Sequence, residues 1–136
     1  MSFDCILLAG CPGSGKEKFK TKQQIHSLEE FNSVCLDLKD IVVDCNFVST
    51  KQIEPFYYKA IELKFNVELC FFYIDPKVAS KISLQPLDCI IEICEEIEEL
   101  LYSIPINWNI KKTFVKHKSY NLLKRGPRGR KLFDIV

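Results

Sequence analysis

Apolar positions along this chain come in blocks whose spacing alternates between strand-like and helix-like. Phe3 to Ala9, FDCILLA, is an almost continuous apolar run ended by Gly10, the pattern of a strand buried on both faces. Gly10-Cys11-Pro12-Gly13-Ser14-Gly15-Lys16 is too rich in glycine for either regular element and reads as a turn. From about Gly15 to Phe31, Phe19, Ile25 or Gln24, and Leu28 recur near helical spacing among lysines and glutamines, which predicts an amphipathic helix. Asn32 and Ser33 punctuate its end, and Val34 to Leu38 read as a short strand leading into Lys39-Asp40.

The second half repeats the alternation. Ile41 to Cys45 is a β-branched run suited to a parallel strand. Ser49 or Thr50 can cap a helix reaching about Phe65, with Pro55 expected to interrupt or restart it. Val67 to Ile74, VELCFFYI, is the clearest strand in the chain. Lys77 to Leu84 reads as a short polar connection. Pro86 then fits the first turn of a helix carrying Leu87, Ile90, Ile91, Cys94, Ile97, Leu100 and Leu101 on one side. Its glutamates, Glu92 to Glu99, read as a solvated face, and Ile104 to Ile110 as a last strand. Strands alternating with helices imply an α/β fold, a parallel sheet with right-handed crossovers flanked by helices.

Composition adds a bound and an asymmetry. A chain of 136 residues with 47% hydrophobic and 27% charged residues has room for one core and no disorder bias. The apolar N-terminal run is too short for a membrane span and holds an acid, so it reads as a strand, and the expected location is cytosolic or nuclear. Seven cysteines, none in a C-x-x-C pair and most within apolar runs, read as buried reduced thiols. The net charge of +1 divides into −7 for residues 1–110 and +8 for residues 111–136, which hold all three arginines. We therefore expect a domain over 1–110 and a basic C-terminal extension over 111–136. The candidate nucleic-acid contacts are Lys124, Arg125, Arg128, Arg130 and Lys131, and a protein partner is the alternative for the same charge. His26 and His117 read as surface residues.

The chemistry centres on the glycine turn. Gly10, Gly13 and Gly15 followed by Lys16 satisfy the G-x-x-x-x-G-K part of a phosphate-binding loop. In such a loop, backbone N–H groups turn inward and the lysine meets the terminal phosphates. Gly10, Gly13, Ser14, Gly15, Lys16 and Glu17 are the expected nucleotide contacts. Glu17 stands where a Ser or Thr hydroxyl would hold Mg²⁺, which puts the metal, and with it turnover, in question.

The Gly10–Lys16 loop, together with Ile41-Val42-Val43-Asp44-Cys45-Asn46-Phe47 as a strand ending in D-x-N, resembles the polynucleotide-kinase-like P-loop kinases. The resemblance covers most of residues 3–103. It implies a P-loop NTPase-like sheet, ATP and Mg²⁺ as cofactors, and transfer of the γ-phosphoryl group to a hydroxyl, usually the 5′-hydroxyl of a polynucleotide. It implies Lys16 on the phosphates, Asp44 near the metal, and Asp37 or Asp40 as the proton acceptor. The lid segment between Pro76 and Pro86 carries Lys77 and Lys81 where the family carries arginines. Two functions stay open: an ATP-dependent phosphotransferase, or a catalytically silent relative that binds nucleotide and acts through its basic tail on nucleic acid or protein.

Overall fold

The computed structural model describes residues 3–16 and 24–119. Its framework is a sheet of five parallel strands in the order β2-β3-β1-β4-β5. The strands are β1 (Asp4–Ala9), β2 (Gln24–Ile25), β3 (Ile41–Val43), β4 (Asn66–Tyr73) and β5 (Ile110–Lys116), and the helices are α1 (Leu28–Val34), α2 (Thr50–Glu62), α3 (Pro76–Ser83) and α4 (Leu87–Ser103). The apolar β1 sits in the middle, paired with β3 on one edge and β4 on the other, as its nearly continuous burial requires. It is registered as Cys5 with Ile41 on one side and Cys5 with Val67 on the other.

Phe31 of α1, Phe56 of α2 and Leu101 of α4 share one buried cluster with Leu7, Val43 and Leu69 of the sheet. All three helices therefore cover the same face. Topology accounts for this: the steps β2 to β3, β3 to β4 and β4 to β5 all run in one direction across the sheet, and right-handed crossovers then lie on one side. The opposite face presents Leu8, Val42, Cys70 and Phe72, a second and smaller cluster.

Several expectations are corrected. Within the span expected as one helix from Gly15 to Phe31, Gln24–Ile25 pairs with Val42 and Val43 as β2, and α1 starts only after Ser27, whose hydroxyl accepts from Glu30 N–H. Residues 17–23 of that span lie outside the described residues. Val34 to Leu38 is no strand: α1 runs on through Val34, a 3-10 turn covers Cys35–Asp37, and Leu38 closes it with φ of 51°. Lys77 to Leu84 belongs to α3, which begins with Pro76 after the Asp75 cap. Pro55 neither interrupts nor restarts α2. The Ser49–Gln52 capping box and the burial of Ile53, Phe56 and Tyr57 offset the one backbone hydrogen bond proline removes. Glu98, read as solvated, is 1% exposed, because the buried arc of α4 is wider than a single stripe and takes in Ile97, Glu98, Leu100 and Leu101.

The last strand is also displaced. Residues 104–109 form the link, with Trp108 stacked on Tyr57 at 4.2 Å and Tyr57 Oη accepting from Asn109 N–H at 2.7 Å. β5 follows at 110–116, so the sheet takes in residues that the charge pattern grouped with the basic extension. Phe114 secures it by stacking with Phe71 and Tyr73 at 5.7 and 5.8 Å, while Lys111, Lys112 and Lys116 stay exposed on what is an edge strand. No helix among the described residues is long and apolar enough to cross a membrane.

Candidate functional site

In open parallel sheets, ligands sit at the carboxyl ends of the strands where neighbouring connections diverge. Here the chain leaves β1 towards β2 and leaves β4 towards β5, so the divergence falls between adjacent central strands, and Gly10–Lys16 follows β1 at that point. The loop is shaped by close approaches. Gly13, at φ of +81°, lies against α3 so closely that a Cβ there would come 2.7 Å from the Ala79 carbonyl oxygen. A Cβ on Gly10 would come 2.5 Å from Ser14 Oγ and 2.9 Å from Phe72 Cβ, so a side chain has no room inside the turn. Gly15, by contrast, has no atom of the described residues within 4 Å of where a Cβ would stand.

Lys16 is buried at 4% exposure. Its ammonium donates to Asn46 Oδ1 at 2.6 Å and lies 3.0 Å from Asp44 Oδ1. The hydrogen bond goes to the asparagine; Asp44 Oδ1 has no aligned hydrogen-bond partner and holds the ammonium by charge. Both partners stand just past the end of β3. Asn46 adopts φ of 55°, a left-handed conformation that asparagine tolerates better than most residues. Asp44 is fixed by its own backbone, its N–H donating to Ile25 O at 2.8 Å and its carbonyl accepting from His26 Nδ1 at 3.1 Å. A carbonyl only accepts, so His26 carries its proton on Nδ1. The ends of β2 and β3 are thus tied together beside Lys16.

Two of the loop's polar groups differ from the expectation that the backbone alone presents donors. Ser14 N–H is already bonded to Cys11 O at 3.1 Å, whereas the Ser14 hydroxyl, in a residue 4% exposed, has no hydrogen-bond partner. The thiol of Cys11 is hydrogen-bonded with that of Cys94 on α4, and that contact and burial push Cys94 well above the usual thiol range. Cys45, next to Asp44, is pushed up to about 11, first by burial and then by the charges of Asp44 and Glu30. All seven cysteines are free.

Of the residues singled out from sequence, Gly10, Gly13, Ser14, Gly15, Lys16 and Asp44 come together. Asp37 and Asp40 do not. Asp40 Oδ1 accepts from Asp4 N–H at 2.8 Å, at the amino end of β1, and Asp37, 3.9 Å from Lys39 Nζ, lies in the turn just before it. Six residues of strand separate that end from the loop, about 20 Å at the usual rise, so neither carboxylate reaches a group held by Lys16. Lys77 and Lys81 lie in the first and last turns of α3. Glu17, Lys124, Arg125, Arg128, Arg130 and Lys131 lie outside the described residues. Asn46 is the Lys16 contact that sequence reading passed over, although the D-x-N spacing was an available signal for it. Models of known protein families give no match to this chain, and no curated protein matches it significantly, so its site is read from its own residues.

Proposed function

We propose that Gly10–Lys16 binds the phosphate chain of a nucleotide, ATP being the first to test. The observation that carries this reading is a buried lysine at the carboxyl edge of the central strand, in a turn whose Gly10 and Gly13 have no room for a side chain. A buried ammonium is costly unless anions meet it. Asp44 and Asn46 meet it in the free protein, and phosphate oxygens exchange with them on binding.

The described residues fit a nucleotide phosphate better than a metal. The Asp44 carboxylate is engaged by Lys16, and no group of three His, Cys, Asp or Glu side chains comes together among the described residues. Asp37 and Asp40, the acids expected to take a hydroxyl proton, stand at the far end of β1 from Lys16, which favours a reading without the transfer step. The reading we favour is the nucleotide-binding relative without that transfer step, with residues 120–136 as a basic segment for single-stranded RNA or DNA.

Calorimetric titration with ATP, ADP and GTP, with and without Mg²⁺, tests this. Micromolar-to-millimolar binding that Lys16→Ala weakens by about tenfold or more supports it, since one charge-assisted contact carries roughly that much. No heat with any of the three at millimolar concentration, or no effect of Lys16→Ala, sinks it.

A further inference from the structure

Cys11, the second residue of the glycine loop, is 1% exposed and sits in a small cluster with Ile74 just past β4, Ala79 of α3 and Ile90 of α4. Cys94, one helical turn beyond Ile90, packs against the same cluster, and its thiol is hydrogen-bonded with that of Cys11. Two thiols from distant parts of the chain are thus in contact where the loop meets α4. Cys5 and Cys35 also share a core cluster, but both are 0% exposed. Cys94 is only part-buried, so its sulfur is the one of this pair that a small oxidant can meet.

We propose that Cys11 and Cys94 form a reversible disulfide that clamps the glycine loop to α4 and lowers its affinity for nucleotide. This rests on the phosphate reading of the loop and adds a control to it. Hydrogen peroxide serves as the oxidant: the Cys94 sulfur attacks one peroxide oxygen, the O–O bond breaks, and a sulfenic acid and one water form. The Cys11 sulfur then displaces that hydroxyl, an S–S bond forms and a second water leaves, so two thiols are oxidised as one peroxide is reduced. A dithiol reverses the step by exchange.

Bond formation moves the loop. A disulfide holds its sulfurs about 2.05 Å apart, inside any hydrogen-bonded separation, so the pair must close by roughly 1 Å or more. The 17-residue α4 is the stiffer of the two elements, and the glycine turn gives way. Cys11 O holds Ser14 N–H at 3.1 Å and so carries the displacement towards Lys16. Contact with Cys11 and burial hold Cys94 above the usual thiol range, so thiolate is scarce and the reaction quickens as pH rises.

The test uses the full chain, reduced and then treated with hydrogen peroxide at pH 7 and pH 9, with peptide mapping under non-reducing conditions and calorimetric titration with ATP. The expected result is a Cys11–Cys94 cross-link that forms faster at pH 9, persists in Cys89→Ala and is absent from Cys94→Ala. It should weaken ATP binding about tenfold until dithiothreitol restores it, while Cys94→Ala keeps its ATP affinity under peroxide. Cross-linking through Cys89 instead, or oxidation that ends at sulfenic or sulfinic acid without joining Cys11, overturns the proposal while the phosphate site stands. A Cys11–Cys94 bond that leaves ATP affinity unchanged, or a loss that dithiothreitol does not restore, also overturns it. If the reduced chain binds no ATP, the phosphate reading fails and the control falls with it, whatever the peptide map shows.

Discussion

Lys16 Nζ and Asp44 Oδ1 stand 3.0 Å apart with the two side chains only 5% and 12% exposed, so the cation of the glycine loop and an acid from β3's end form a pair almost out of water. Breaking such a pair leaves one charge buried without its partner. Asp44→Asn should therefore destabilise the free protein by about 2–3 kcal/mol, at the low end because Asn46 still accepts from the ammonium. The same change releases Lys16 from its competitor, so ATP should bind more tightly and recover more stability in the variant than in the wild type. Urea unfolding with and without ATP measures both. Weaker ATP binding by Asp44→Asn would assign the carboxylate to the ligand instead.

The start of α2 offers a purely structural check. Ser49 Oγ accepts from Gln52 N–H, and Gln52 Oε1 accepts from the N–H groups of Val48 at 2.7 Å and Ser49 at 3.2 Å. Ser49→Ala should cost about 1 kcal/mol in urea unfolding without changing ATP affinity. A linked loss of affinity would mean that α2 positions the Lys16 partners through residues 44–48.

This cap was legible in the sequence, as were β1, β4 and α4, because each has a long apolar pattern or a capping residue that local physics reads alone. β2 was not. Its two residues, Gln24 and Ile25, are too few to show alternation, and only pairing with Val42 and Val43 makes them a strand. β5 was hidden by its lysines, which suggest a solvated tail until Phe114 is seen stacked on Phe71 and Tyr73. The glycine loop and Lys16 could be read from spacing, but the distance between Asp40 and the loop is a property of strand direction, which no local pattern encodes.

Alkaline pH should act through the thiols. Cys5 is pushed up to about 12, chiefly by burial and further by Cys35, and Cys45 to about 11. In the unfolded chain these thiols ionise near their ordinary value of 9.0, so between pH 9 and about 12 the folded state holds protons that the unfolded state has lost. Their contribution is complete below pH 9 and declines as pH rises through that window. Denaturant unfolding of wild type and Cys5→Ala from pH 8 to 11 should show a steeper loss in the wild type; parallel curves would remove Cys5 as a source.

Deletion experiments on the basic segment need their boundary set by β5. Ending the chain at Ile110 removes the partners of Glu68 to Tyr73 and should unfold the protein or lower its melting temperature sharply. Ending it at Ser119 keeps the strand and removes Lys124, Arg125, Arg128, Arg130 and Lys131. Fluorescence anisotropy with a single-stranded oligonucleotide should then show salt-sensitive binding by the full chain, lost in the chain ending at Ser119. Full-length protein that ignores DNA and RNA at low ionic strength rules out the nucleic-acid role.

The central place of β1 also fixes when the loop can take shape. β1 is made well before both of its neighbours, β3 at residues 41–43 and β4 at 66–73. The Ala9 end from which the loop springs is held by Phe71, and Gly10 is walled by Phe72. A chain emerging from the ribosome therefore carries Gly10–Lys16 early but without form, since the contacts that define the turn are more than 50 residues downstream. Parallel pairing over such separations is slow to find. The loop is thus made before the strand that shapes it, and ligand present during synthesis meets a finished site only after β4 has docked.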